Sequence, residues 1–91
     1  KMVFLGDMFE LGETAQEEHQ DIVDYLSSSN IDEVHLIGSY FSKTKFKVKN
    51  IYQYKTFEVL KSAFKKTIPK DTTILIKASR GMALERIVPM L

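Results

Sequence analysis

The amino-acid sequence predicts an α/β fold, a three-layer Rossmann-like sandwich in which helices flank a mostly parallel sheet of about four strands. Three observations predict this fold. Short apolar runs alternate along the chain with amphipathic helical patterns, as expected for right-handed βαβ crossovers. The runs are apolar at consecutive positions, which is typical of parallel strands buried on both faces. Polar segments that contain glycine follow the strands, at the edge where open α/β sheets bind ligands.

The composition is that of one small globular domain. With 91 residues and 44% hydrophobic residues, the chain has enough apolar side chains to build a core. It contains no cysteine, which excludes disulfides and is typical of a reducing compartment, so we expect a cytoplasmic protein. A formal net charge of +1 gives no general attraction to nucleic acid or to a membrane, so neither is an expected partner. Because the sequence begins directly with a strand-like run, we expect residues 1–91 to be a piece of a longer protein.

The first third of the chain predicts one strand followed by one helix. Residues 2–6 form a continuous apolar run, which predicts a buried strand followed by a loop at 7–12. Thr14 and Glu17 match the Thr-x-x-Glu pattern of a capping box and predict the start of a helix. One face of that helix carries residues at helical spacing, namely Ala15, His19, Ile22, Val23 and Leu26. The polar segment 27–30 ends the helix.

The rest of the chain repeats this alternation. The predicted elements, in chain order, are a strand at 33–38, a loop or single helical turn at 39–44, a short strand at 51–54, a helix at 56–67, a strand at 72–78 and a helix at 82–91. Apolar runs indicate the first and last of these strands, and apolar residues spaced by three and four indicate the helices. The middle strand depends on its β-branched and aromatic residues, because it has no clear periodicity.

The first candidate site follows the first predicted strand. Asp7, Met8 and Glu10 lie between Gly6 and Gly12, at the carboxyl edge of the predicted sheet. Two carboxylates at that edge are able to hold an ammonium group. The alternative is an ordinary polar loop between strand and helix, in which the two glycines supply unusual backbone angles. Spacing alone leaves both interpretations open.

The second candidate site follows the last predicted strand. Ser79, Arg80 and Gly81 lie at the start of the closing helix, where free backbone N–H groups and the helix dipole favour an anion. The guanidinium of Arg80 suits a carboxylate or a phosphate. The alternative is that Ser79 only caps the helix and that Arg80 is solvated. If both candidate sites face the same rim, they suit a small ligand that is charged at both ends.

Other patterns predict no chemistry of their own. Four lysines alternate with other residues in one segment, namely Lys43, Lys45, Lys47 and Lys49. Single-stranded nucleic acid is bound by basic residues interleaved with aromatic ones, but a solvated segment at the sheet edge explains these lysines. The two histidines, His19 and His35, lack partners at the spacing of a metal site or a catalytic triad. Since no phosphate-binding loop is present either, we expect this chain to carry no catalytic, cofactor-binding or metal-binding residue.

The two candidate sites resemble one known family, and the resemblance covers nearly the whole chain. Residues 5–13, Leu-Gly-Asp-Met-Phe-Glu-Leu-Gly-Glu, with His19 beyond them, resemble the Gly-Asp-Met-x-Glu-Leu-Gly motif of the Mur ligases. Residues 77–85, Lys-Ala-Ser-Arg-Gly-Met-Ala-Leu-Glu, resemble the Lys-Gly-Ser-Arg-x-x-x-x-Glu segment of the family branch that adds D-alanyl-D-alanine. Ala78 stands where that branch has glycine.

This resemblance implies a fold context and a reaction. It implies most of the C-terminal domain of a three-domain ligase, without the first strand–helix unit of that domain. The implied reaction is ATP-dependent and joins D-alanyl-D-alanine to a UDP-linked muramoyl tripeptide through an acyl phosphate, in peptidoglycan synthesis. ATP and Mg²⁺ would be held mainly by the central ATPase domain of the same chain, so the fragment alone is expected to be inactive.

The dipeptide that the resemblance implies is a zwitterion, and we expect the charged groups at the rim to receive its two ends. The helix start with Arg80 would receive the carboxylate of the dipeptide, and Asp7 or Glu10 would orient its amine. The full set of expected substrate-binding residues is Asp7, Met8, Glu10, Ser79, Arg80 and Gly81.

Two other classes of function stay open from the residues alone. Asp7 after the first strand and Lys77 after the last fit a receiver-like, non-catalytic α/β binding module. The phosphoacceptor aspartate that such a module needs after a middle strand is missing, because the second strand ends in Gly38, Ser39 and Tyr40. The remaining alternative is an interaction domain whose rim is polar but binds no ligand.

Overall fold

The computed structural model describes residues 1–64, 68, 71–78 and 84–90. Its strands are β1 (Met2–Gly6), β2 (Glu33–Ile37), β3 (Ile51–Tyr54) and β4 (Ile74–Lys77). Its α-helices are α1 (Ala15–Ser27), α2 (Ser39–Ser42) and α3 (Phe57–Ala63), and two further segments, Phe9–Thr14 and Leu84–Met90, form 3₁₀ helices. The alternation of strands and helices that the sequence predicts is therefore confirmed.

The four strands form one parallel sheet in the order β3-β2-β1-β4. The first strand lies in the interior of this sheet. Its first residue, Met2, pairs with Glu33 of β2 on one side and with Ile74 of β4 on the other. Since all strands run the same way, all four carboxyl ends lie along one edge.

Apolar side chains cover both faces of the sheet, which confirms the three-layer sandwich. One cluster packs between the sheet and α1 with α2, and its buried members are Val3, Leu5, Val23, Leu26, Val34, Leu36, Phe41 and Ile51. The other packs between the sheet and α3 with the C-terminal 3₁₀ helix, and its buried members are Met2, Phe4, Ile37, Phe57, Leu60, Leu84 and Ile87. Successive strand residues alternate between the two clusters, because side chains of a strand point to opposite faces.

The entry into α1 differs from the prediction. Residues 9–14 form a 3₁₀ helix instead of an open loop, and Gly12 interrupts it with a φ of 67°. Thr14 occupies the N-cap position of α1, but its side chain makes no capping hydrogen bond, so the predicted capping box is wrong. The chain already enters α1 from the turns of the 3₁₀ helix.

The two later helices are shorter or tighter than predicted. In α3, the Thr56 side chain accepts a hydrogen bond from the Val59 N–H, and the helix ends at Ala63 because Phe64 has an extended backbone. The closing segment is a 3₁₀ helix with Pro89 inside it, whereas the sequence predicts a regular helix. Within the described ranges, no helix combines the length and hydropathy that a bilayer span requires.

Candidate functional site

The candidate site lies at the carboxyl edge of the sheet, where β1, β2 and β4 end side by side. Leu5 of β1 pairs with Lys77 of β4, and Gly6 pairs with Ile37 of β2. The segments that follow these three strands therefore begin at the same edge. Of the predicted site residues, Ser79, Arg80 and Gly81 lie outside the described residues, and so does the side chain of Glu10. Asp7 and Met8 are described in full.

Asp7 uses its carboxylate inside the fold. The side chain is 1% exposed and reaches from the end of β1 to the start of α2. Its Oδ2 accepts a hydrogen bond from the Tyr40 N–H at 3.0 Å, and its Oδ1 accepts one from the Phe41 N–H at 3.1 Å. The Ser39 hydroxyl lies 3.4 Å from Oδ2. Asp7 thus caps a helix that follows a different strand, and because its side chain is buried, the carboxylate is not accessible to a ligand in this conformation.

Gly38 makes this cap possible. It connects β2 to α2 with φ 129° and ψ 169°, a region that is essentially restricted to glycine. A Cβ atom at this position would lie 2.2 Å from the Asp7 Cγ. The Gly38 N–H donates a hydrogen bond to the Tyr54 carbonyl at 2.8 Å, which also connects this turn to β3. Asp7 is therefore able to approach this turn only because Gly38 has no side chain.

Met8 is held by a histidine from α1. His19 is fully buried, and its Nε2 accepts a hydrogen bond from the Met8 N–H at 3.0 Å. Its Nδ1 lies 2.5 Å from the carbonyl oxygen of Ala15. Because Nε2 is the acceptor, the proton is assigned to Nδ1, which donates to Ala15. The sequence correctly places His19 on the buried face of its helix but does not predict this contact.

The same histidine ring packs against α2. It stacks on the Tyr40 ring at 4.9 Å between centroids, and it meets the Phe41 ring edge-on at 4.6 Å. The Gln16 side chain donates to the Tyr40 carbonyl at 3.0 Å. The segments that follow β1 and β2 are therefore fixed to each other and to α1.

A second polar group lies on the opposite face of the sheet, toward α3. His35 Nε2 lies 2.6 Å from the Glu33 carboxylate, and His35 Nδ1 lies 2.8 Å from the Tyr54 hydroxyl. The His35 ring is stacked between those of Phe4, at 4.7 Å, and Tyr52, at 5.2 Å. Burial, together with the negative charge of Glu33, raises the pKa of Tyr54 to about 12.

This second group borders a cavity of about 490 Å³ on the α3 side of β3. This group is not among the sites that the sequence predicts. The signal that was available is the i, i+2 spacing of Glu33 and His35 on a strand, which puts both side chains on one face. Tyr54 joins them only through the pairing of β2 with β3.

The lysine-rich segment before β3 is irregular in structure. Its four lysines are exposed, whereas Phe46 and Val48 between them pack against the apolar cluster under α1. This is the solvated arrangement that the alternation of lysines with apolar residues indicates.

Comparison with known proteins gives one consistent set of relatives. No family model matches the chain. The UDP-N-acetylmuramoyl-tripeptide–D-alanyl-D-alanine ligase of Borreliella burgdorferi is 34% identical over 92 residues, and that of Bacillus subtilis is 35% identical over 94 residues. Each alignment covers 97% of this chain but only 20% and 21% of the respective relative. The chain thus spans about one fifth of the length of the curated relatives it matches.

The solved structures agree on the fold. A crystal structure of MurF from Acinetobacter baumannii superposes on this chain with a TM-score of 0.77. The superposition includes 100% of this chain and 21% of the MurF chain. A second crystal structure of the same protein gives a TM-score of 0.70. The sequence identities in these two superpositions are 21% and 20%, so the superpositions show that the fold is shared.

Proposed function

We propose that this chain, which is homologous to a segment of the UDP-N-acetylmuramoyl-tripeptide–D-alanyl-D-alanine ligases, is part of an ATP-dependent ligase of peptidoglycan synthesis. The observation that carries the proposal is the 34–35% sequence identity, along almost the entire chain, to relatives that share one enzymatic activity. The motif segments 5–13 and 77–85 begin at Leu5 of β1 and Lys77 of β4, which pair with each other in the sheet.

The proposed reaction forms one amide bond. ATP transfers its γ-phosphoryl group to the terminal carboxylate of the UDP-linked tripeptide, which gives an acyl phosphate and ADP. The amine of D-alanyl-D-alanine then attacks the acyl carbon, loses a proton and releases inorganic phosphate. ATP and Mg²⁺ are held in this proposal by a central domain elsewhere in the protein. The proposed location is the cytoplasm, and wall synthesis would link the enzyme to cell shape and cell division.

We also propose that residues 1–91 are most of the C-terminal domain, without its first strand–helix unit. Among the described strands, β4 pairs on one side only, with β1. Leu75 of β4 is 55% exposed and borders an apolar cavity of about 280 Å³, with Met2, Val3 and Ile31 among its other walls. An apolar strand that is uncovered at a sheet edge fits a domain from which a neighbouring unit has been cut.

The substrate proposal for the rim concerns the dipeptide. Ser79, Arg80 and Gly81 would receive its carboxylate, and Met8 would line the site. Of the two acidic candidates for the amine, Glu10 is favoured, because the carboxylate of Asp7 is engaged by Tyr40 and Phe41. Asp7 would then support the rim by holding α2 against the end of β1.

The experiment is a kinetic comparison in the full-length protein that contains this chain. Wild-type protein should join D-alanyl-D-alanine to the UDP-linked tripeptide, with one phosphate released per amide formed. Arg80→Ala should raise the KM for the dipeptide well before it changes the KM for ATP. Arg86→Ala is the matched control, because it removes the same guanidinium from an arginine that contacts α3. There Arg86 lies over the Phe57 ring at 4.1 Å and 3.7 Å from the Glu58 carboxylate.

Each outcome of this comparison is informative. An unchanged dipeptide KM in Arg80→Ala removes Arg80 from the site but leaves the reaction standing. A wild-type protein that forms no amide contradicts the proposed function itself. Magnesium-dependent ATP hydrolysis by residues 1–91 alone contradicts the proposal that nucleotide binding lies in another domain.

The receiver-like alternative gains no support from the sheet. Receiver and flavodoxin-like domains have the strand order 2-1-3-4-5, in which the first strand lies between the second and the third. Here β1 lies between β2 and β4, which differs from the order of a receiver domain that begins with this strand.

A further inference from the structure

We propose that His19 is a positioning residue, which fixes the Met8 amide and with it the segment 8–12 that faces the dipeptide. This inference rests on the proposed function, and it adds a role for a residue that lies on α1 and not on the rim. The imidazole acts through the backbone of Met8 and touches no substrate.

The first step is the contact itself. The Met8 N–H donates to His19 Nε2 at 3.0 Å, and Met8 is the residue at which the chain leaves β1 and Asp7 for the 3₁₀ helix. A part-buried N–H group that loses its acceptor destabilises the conformation that buries it. The position of Met8 is therefore coupled to the presence of an acceptor atom at Nε2.

The second step is that the ring itself cannot easily move. Nδ1 is fixed to the Ala15 carbonyl one turn earlier in α1, and the side chain is 0% exposed. Tyr40 stacks on one side of the ring, and Phe41 meets it edge-on. The backbones of these two residues are in turn fixed by the Asp7 carboxylate.

The third step is that His19 links both strand-end segments. It contacts Met8 after β1 through a hydrogen bond and contacts Tyr40 and Phe41 after β2 through its ring. A misplacement of about 1 Å in a substrate-positioning segment is enough to lower catalytic efficiency about a hundredfold. The acceptor nitrogen of His19 is thus expected to affect dipeptide binding although it lies below the rim.

The experiment distinguishes the hydrogen-bond acceptor at His19 Nε2 from the packing of the imidazole ring. His19→Phe keeps a planar ring but has no acceptor, and His19→Asn has an amide that is too short to reach Met8. His19→Gln places an amide oxygen near the position of Nε2. All three are made in the full-length protein, and KM values for D-alanyl-D-alanine and for ATP are measured together with deuterium uptake of the peptide that covers residues 5–12.

His19→Phe and His19→Asn, the two loss variants, should raise the KM for the dipeptide at least about tenfold and leave the KM for ATP unchanged. In both variants the peptide that covers residues 5–12 should take up deuterium faster than in wild type. His19→Gln should restore the dipeptide KM to within about threefold of wild type. If His19→Phe does not fold, the comparison of His19→Asn with His19→Gln decides the question in the same way.

Two results overturn the inference. One is a dipeptide KM that stays at the wild-type value in the folded loss variants. The other is a KM that rises equally in the Gln, Asn and Phe variants, because a structural role of the ring would not be rescued by an acceptor alone. Wild-type protein without ligase activity is a different result, since it removes the proposed function, and this inference with it.

Discussion

A methyl group on Gly38 would lie 2.2 Å from the Cγ of Asp7, although the two residues belong to segments that follow different strands. This distance is far inside van der Waals contact, and the Asp7 carboxylate is fixed there by two backbone N–H groups of α2. The turn after β2 and the carboxylate after β1 therefore form one structural unit.

Gly38→Ala should destabilise the protein more than Gly12→Ala. Both glycines have positive φ, so alanine carries a backbone cost of about 1–3 kcal/mol at either position. Only Gly38 has the Asp7 contact, which adds about 1–3 kcal/mol, because no atom of the part of the chain that the structure describes lies within 4 Å of a Cβ on Gly12. The measurement is the free energy of unfolding from urea titration.

A double variant tests whether the extra cost at Gly38 comes from Asp7. Asp7→Gly with Gly38→Ala should lose less stability than the sum of the two single changes, since the clash disappears with the carboxyl group. Additive losses would show that backbone strain alone explains the effect of Gly38→Ala.

Asp7→Asn should lower the free energy of unfolding by about 1–3 kcal/mol. Both carboxylate oxygens accept from N–H groups, so the new NH₂ group must face a donor at either Tyr40 or Phe41. Asp24→Asn is the control, because Asp24 is exposed and accepts a single hydrogen bond from Gln20. A loss of no more than about 0.5 kcal/mol is expected there, and equal losses in the two variants would contradict the cap.

Tyr54 should ionise at a higher pH than an ordinary tyrosine does. Burial and the charge of Glu33 raise its pKa from 10.0 to about 12, so the protein keeps the phenol neutral where the unfolded chain has already ionised. This contribution to stability is complete below pH 10 and is lost as the pH rises toward 12. Tyrosinate absorbance followed through an alkaline titration measures it directly, since the chain has no tryptophan and four tyrosines.

Two single variants test whether the absorbance step near pH 12 belongs to Tyr54. Tyr54→Phe should remove it, whereas Tyr25→Phe should leave it in place, because Tyr25 is 73% exposed. A late step that persists without Tyr54 would contradict the effect of Glu33 and burial on this residue.

Leu75→Ala and Leu36→Ala should differ sharply in the isolated chain. Leu36 is 0% exposed, and its truncation should cost about 2–5 kcal/mol, whereas Leu75 is 55% exposed and should cost far less. If an additional unit covers β4 in the full-length protein, Leu75→Ala becomes more costly there. Thermal unfolding of both variants in both proteins provides the measurement, and an equally small Leu75 effect in the longer protein would count against the domain proposal.

The sequence predicts the sheet well for a physical reason. Strands buried on both faces need consecutive apolar residues, so β1 and β2 are visible from their apolar residues, and their shared carboxyl edge follows from parallel pairing. β4 is also visible as an apolar run, although its Leu75 is 55% exposed. The closing segment is predicted less well. Pro89 lacks the N–H that a regular α-helix needs, so the helical spacing of the apolar residues alone predicts the wrong type of helix.

The role of Asp7 was not predictable from its neighbours in the chain. Its partners, Tyr40 and Phe41, become close only because Gly6 pairs with Ile37, and no local pattern specifies that pairing. A glycine directly after the β2 run was the indirect signal, but glycine there equally fits an ordinary turn. His19 is similar, since helical spacing predicts its burial but not the backbone group that it binds.

The interior position of β1 has a consequence for synthesis on the ribosome. Met2 pairs with Glu33 on one side and with Ile74 on the other, so β1, the first of these four strands to be translated, waits longest for both of its edges to be covered. Pairings between segments this distant form slowly, and an open edge recruits other chains. Nascent chains that stall before β4 therefore present β1 to chaperones and to one another.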